Sequence, residues 1–172
     1  NSRSKNWNET LINQFDKRFP NKKNQINFIF HYYFHIKKPL YQFDNAEEVQ
    51  QLLAYPKMDM QNKLAKWHWD YTNSYNSWVT EYNISEKKPH LVNNKWIHGL
   101  LVTNQIHELL KQTEATIFNF HSIGSDAFPG FAALDLMNKD QRYLQPTASG
   151  IVTSLWNRLT ADAESFQSGP WS

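Results

Sequence analysis

Residues 66–83 read KWHWDYTNSYNSWVTEYN, and whether they wind or extend decides the fold. Six of these eighteen positions are Trp or Tyr. On a helix that advances about 100° per residue, Met60, Leu64, Trp67, Tyr71, Tyr75, Trp78 and Tyr82 fall within an arc of about 80°. A stripe that narrow is the mark of a helix face turned towards a core. The spacing therefore predicts a long central helix from about Asp59 to Tyr82. Trp69 departs from it, lying about 180° from the stripe among Asn62, Asn73, Asn76 and Thr80. An indole surrounded by amides has the composition of a partner-contacting surface. Cover by another part of the same chain is the plainer reading.

Working outwards, Trp7, Leu11, Phe15 and Phe19 recur every four residues, which predicts an amphipathic helix stopped at Pro20. Residues 26–36, INFIFHYYFHI, alternate well enough for a strand. They also place Asn24, Asn27, His31, His35 and Lys38 on one polar helical stripe. Aromatic enrichment, with no Ala, Leu or Glu, favours the strand. Its best partner is 116–121, TIFNFH, and the next is 95–102, KWIHGLLV. Asp44 or Asn45 can cap a helix with Glu47 or Glu48 three residues on, ending near Ala54 before Tyr55-Pro56. Further helices are expected from about residue 104, over 132–144, and over Ile151 to Phe166. Residues 122–131 read as an irregular loop. The expected fold is mainly α, a single-domain bundle of about five to six helices over 1–172. A small two-stranded element would join 26–36 to 116–121, and α+β is the alternative. Residues 1–25 would form a basic helix or arm.

Composition narrows the function classes. The chain has 172 residues, 15% aromatic, and only 5 Gly, so turns needing positive φ are few. Without Cys there is neither disulfide nor thiol chemistry. Net charge is +2, but residues 1–38 hold eight Lys/Arg against Glu9 and Asp16, so 8 − 2 = +6 there and −4 in the remainder. Such an arm suits an anionic membrane surface or nucleic acid, or is simply a solvated face. No run approaches the roughly 18 apolar residues of a membrane span. A first residue other than Met fits a processed or truncated product. With eighteen Asn, matches to the glycosylation pattern at Asn8 and Asn83 arise easily by chance.

Chemistry-bearing sets are sparse. His31 and His35 share a metal only on a helix, with His68, His98, His107, His121, Glu47 or Glu108 as a third ligand. On a strand they stand about 13 Å apart. His121, Ser122, Ser125 and Asp126 are the residue types of nucleophilic catalysis, but no G-x-S-x-G elbow frames them, and in a Gly-containing loop such residues usually make turns. No glycine loop cradles phosphate, so no nucleotide is expected, nor any cofactor. The aromatic segment 26–36 with its lysine flanks also suits a membrane interface or an edge strand offered to a partner. The reading that follows is a non-catalytic interaction or structural module, a subunit of a larger assembly. It would bind a protein partner or its own copy through Trp69, Asn73 and Asn76 and the basic residues Lys22, Lys23, Lys37 and Lys38. The alternatives are an enzyme using His121/Ser122/Asp126 or His31/His35, and a binder of anionic surfaces through residues 1–38.

Overall fold

Of the quoted stretch, Lys66 closes a helix, residues 76–83 extend as a strand, and 67–75 lie outside the described residues. The computed structural model describes residues 7–21, 27–36, 45–66, 76–86, 92, 95–113, 115–125, 132–135 and 145–161. In chain order its main elements are α1 (Trp7–Arg18), β1 (Asn27–Ile36), α2 (Ala46–Lys66), β2 (Asn76–Glu86), α3 (Trp96–Thr113) and β3 (Ile117–Phe120). Three short strands, β4 (Gly124–Ser125), β5 (Leu134–Asp135) and β6 (Gln145–Pro146), lead into α4 (Ala148–Thr160). β1, β2 and β3 form one parallel sheet in the order of the chain. β4, β5 and β6 make a second, small sheet.

This is an α/β arrangement and corrects the expected helical bundle in three places. Of the helix predicted over 59–82, residues 59–66 are the end of α2, 76–82 belong to β2, and 67–75 lie outside the described residues. Helix α2 does not stop before Pro56 but runs through it. An interior proline removes one helical hydrogen bond and costs about 3 kcal/mol in isolation. Here Leu52, Pro56, Met60 and Leu64 form one buried i, i+4 row, and packing of that row outweighs the local defect. Third, 95–102 belongs to α3 and pairs with no strand. Residues 26–36 do form a strand, but β2 lies between it and 117–120, so the expected two-stranded pairing is replaced by a three-stranded sheet. Of the helix expected over 132–144, residues 134–135 are strand and 136–144 lie outside the described residues.

Parallel neighbours need crossover connections, and α2 and α3 supply them. The two helices pack against each other and against one face of the sheet. Strand order following chain order, with crossovers of one hand, puts both helices on that face. The core fills this layer with Tyr32, Phe34 and Ile36 of β1, Val79, Tyr82 and Ile84 of β2, and Leu52, Met60, Leu101, Val102 and Leu109 of the helices. Asn45 caps α2, its side-chain oxygen accepting the Glu48 N–H at 2.9 Å. Helix α4 lies on α3, approaching closely at Gly99, where a Cβ would stand 3.1 Å from the Ala148 carbonyl oxygen.

Two buried tyrosines tie this layer together. Tyr32 donates to Asp59 Oδ2 at 2.9 Å, and Lys63 pairs with the same carboxylate at 2.8 Å while sitting 4.5 Å from the Tyr32 ring centre. Burial pushes the Tyr82 hydroxyl up to about 12 from an ordinary 10.0. Burial likewise raises Tyr32, helped by Asp59. A phenol whose folded pKa is raised contributes stability in full below its unfolded value, and loses it as pH rises through the folded one. Cooperative alkaline unfolding is therefore expected as pH climbs from about 10 towards 12, with Tyr82→Phe moving the midpoint upward. Phenolate absorbance followed together with far-UV circular dichroism checks this. Phenolate appearing at pH 10 in a chain still folded contradicts it.

Candidate functional site on the sheet face opposite the helices

Alternation along each strand sends a second set of side chains to the face opposite the helices. On β1 these are Ile29, His31 and Tyr33. On β2 they are Trp78, Glu81 and Asn83, and on β3 Ile117 and Asn119, with His121 just beyond the strand. Trp78 and Glu81 share a face because β2 carries one extra residue, Thr80. Phe30 is opposite Val79 while His31 is opposite Glu81. The same insertion separates the Val79–Phe118 and Tyr82–Phe120 pairs. A bulge of this kind re-aims the residues after it. Without it Glu81 would point into the core and Tyr82 out.

Three cross-strand rows result. At the amino-terminal end, Ile29, Trp78 and Ile117 lie side by side, with Ile29 60% and Ile117 38% exposed. Next come His31 and Glu81, with Nδ1 3.3 Å from Oε2. Tyr33 reaches back to the same carboxylate, its hydroxyl donating to Oε2 at 2.6 Å. In the third row the rings of Tyr33 and His121 meet edge to face at 5.8 Å above the central strand. Beneath them Asn83 is fully buried, with Nδ2 donating to the His121 carbonyl and Oδ1 accepting the Ile84 N–H at 2.6 Å. His121 is fixed in turn by its own N–H, which donates to the Tyr82 carbonyl at 3.0 Å.

The electrostatics follow from this geometry. The Tyr33 hydrogen bond, with His31 and His121 close by, holds the Glu81 carboxyl below the ordinary carboxylate range against a smaller opposing effect of desolvation. Burial, and then the bond to Glu81, pushes the Tyr33 hydroxyl up. Glu81 is thus an ionised acceptor at neutral pH. His31 turns one nitrogen towards it and keeps a half-exposed ring. The arrangement can accept a cation or hydrogen-bond donors at Glu81.

A depressed carboxyl contributes stability that is present above its unfolded pKa and is lost as pH falls through the folded one. Glu81→Gln should therefore flatten the acid limb of the stability profile between roughly pH 5 and 3. Urea denaturation of wild type and variant across that range measures it. Identical acid limbs would show that Glu81 has no part in it.

The residues singled out from sequence fare unevenly. Trp69, Asn73, Lys22, Lys23, Lys37, Lys38, His68 and Asp126 lie outside the described residues. Asn76 opens β2, opposite Asn27. His31 and His35 are on a strand, which separates them by about 13 Å and removes the shared-metal pairing. His98 and His107 sit on α3, across the sheet from His31. Among the described residues no group of three His, Asp or Glu is placed to hold a metal. Ser122 donates to the Gly124 carbonyl at 3.2 Å, the turn chemistry expected of such a loop. Asn83 is buried and bonded, so its glycosylation match is a chance one. Glu81 and Tyr33 are the site residues the sequence does not announce. Only the parallel register, and the bulge within it, brings them to the two histidines. No helix among the described residues is long and apolar enough to cross a membrane. No protein-family model, no curated protein and no solved structure matches the chain.

Proposed function

We propose that the chain is a non-catalytic binding module that seats a protein partner on the face of its parallel sheet opposite α2 and α3. One observation carries this reading. All-parallel sheets are ordinarily covered on both faces. Here α2 and α3 cover one, while on the other Ile29, at the outer end of a row of large apolar side chains, is 60% exposed. Below that row the ionised Glu81 and the two histidines supply polar contacts of the kind found around an interface core. The test is a photo-crosslinking residue placed at Ile29, with one at Met58 of α2, 52% exposed, as the control. Stoichiometric adducts at 29 and none at 58 are expected. Equal labelling at the two positions, or none at 29, overturns the reading.

The His31–Glu81 contact supports a second reading, in which the same face works as a general acid–base site. A carboxylate on Nδ1 leaves Nε2 as the base, as in the orienting half of a catalytic triad. Hydrolysis of activated esters that is lost in His31→Gln would favour it. Unchanged hydrolysis would remove it.

A further inference from the structure

The apolar stripe predicted for α1 is real, but Trp7, Leu11 and Phe19 of it are turned to solvent. Among the described side chains of this helix Ile12 is buried, and Glu9, Phe15 and Asp16 are half-buried. Trp7 is 52%, Leu11 46% and Phe19, just past the helix end, 43% exposed. On a helical projection Ile12, Asp16 and Glu9 cluster between about 140° and 200° from Trp7, and Leu11 lies at about 40°. The exposed Arg18 falls at about 20°, inside the apolar stripe, whereas both acids of α1 are on the far side. The helix therefore offers solvent a stripe roughly 18 Å long that ends in a guanidinium.

The sheet face opposite α2 and α3 is its complement. It has an apolar row, Ile29–Trp78–Ile117, followed one step up the strands by the ionised Glu81. Such a face is normally closed by a helix. We propose that these two surfaces cover each other between two copies of the chain. Helix α1 of one copy lies over Ile29, Trp78 and Ile117 of the other, and its Arg18 meets Glu81. In the proposed arrangement each copy lends its helix and receives the other's at once, which closes the contact as a two-fold dimer; a one-way contact of the same two patches would propagate instead. This rests on the binding-face reading above and names its occupant.

Light scattering on a sizing column, from roughly 1 to 100 µM chain, tests it. Wild type should be a dimer at the upper end. Leu11→Lys and Ile29→Lys alter exposed positions on the two surfaces, and each should weaken the dimer at least about tenfold. Circular dichroism confirms that they remain folded. Arg18→Glu and Glu81→Lys should each weaken it as well, and the double variant should regain most of the loss. A wild type that is monomeric throughout overturns the proposal, as does a dimer that persists in both Leu11→Lys and Ile29→Lys. The crosslink at position 29 separates the two levels. An adduct with the mass of two copies supports the dimer, while an adduct of any other mass overturns it and leaves the binding face standing.

Discussion

Gly150→Ala should lose at least about 3 kcal/mol of stability, a large effect for a single added methyl group. Gly150 lies in the first turn of α4, directly over the short strand β5. A Cβ there would overlap the Ala133 carbonyl oxygen and come within 2.9 Å of its carbon. Both are backbone atoms, and neither can swing aside. Ala133 is held from several directions. Its N–H donates to the Ser122 carbonyl at 2.9 Å, and its carbonyl accepts the Thr147 N–H at 2.9 Å. Thr147 also bridges by side chain to the Ala132 carbonyl at 2.7 Å and caps α4 by accepting the Gly150 N–H at 3.1 Å. Relieving the clash means breaking the cap or lifting α4 from β5. The helix would carry Val152 and Trp156 with it out of the core. Gly99→Ala, with its nearest backbone atom at 3.1 Å, should cost clearly less. Urea midpoints of the two variants give the comparison, and a Gly150→Ala chain as stable as Gly99→Ala would refute it.

Tyr32→Ala should cost about 4 kcal/mol, and Tyr32→Phe about 1.5 kcal/mol of that. The difference separates two contributions at one position. The ring is fully buried between the sheet and α2, and its removal leaves a cavity beside Phe34 and Met60. The hydroxyl reaches Asp59, a charged acceptor that Lys63 also holds. Without it the carboxylate keeps the ammonium as a partner, so the loss stays that of one charge-assisted bond. Lys63 further donates to the Tyr33 carbonyl at 2.6 Å, fastening α2 to β1. Equal losses from Tyr32→Phe and Tyr32→Ala in chemical denaturation would show that the hydrogen bond, not the packing, dominates.

How much of this was legible in the chain depends on which signal each element sends. β1 was legible because aromatics alternate over ten residues without interruption, and the start of α2 because Asn45 and Glu48 have capping spacing. β2 was not. Its extra residue at Thr80 breaks the alternation, so Trp78 and Tyr82, four apart, face opposite sides of the sheet. The same four-residue spacing imitates a helix, and extending it back through Tyr71 and Trp67 produced a continuous stripe. Pro56 misled in the opposite direction. Local chemistry says stop, and only the buried row from Leu52 to Leu64 explains why the helix goes on. For the candidate site, His31 and His121 stood out as histidines, but their common neighbour Glu81 belongs to a pairing register that no single strand encodes. The stripe on α1 was read correctly as amphipathic, while its direction depended on which side the rest of the fold occupied.

A three-stranded sheet has two edges, and edges normally fray one at a time. Here Tyr33 on one outer strand and His121 at the end of the other touch above the middle one, with Asn83 sealed below. Peeling away either outer strand at this level uncovers the same buried amide. The carboxyl-terminal end of the sheet is thereby made to open as a unit. Amide protons near Tyr33 and His121 should exchange with a shared opening free energy, whereas those near Ile29 and Ile117, at the other end of the sheet, should exchange independently.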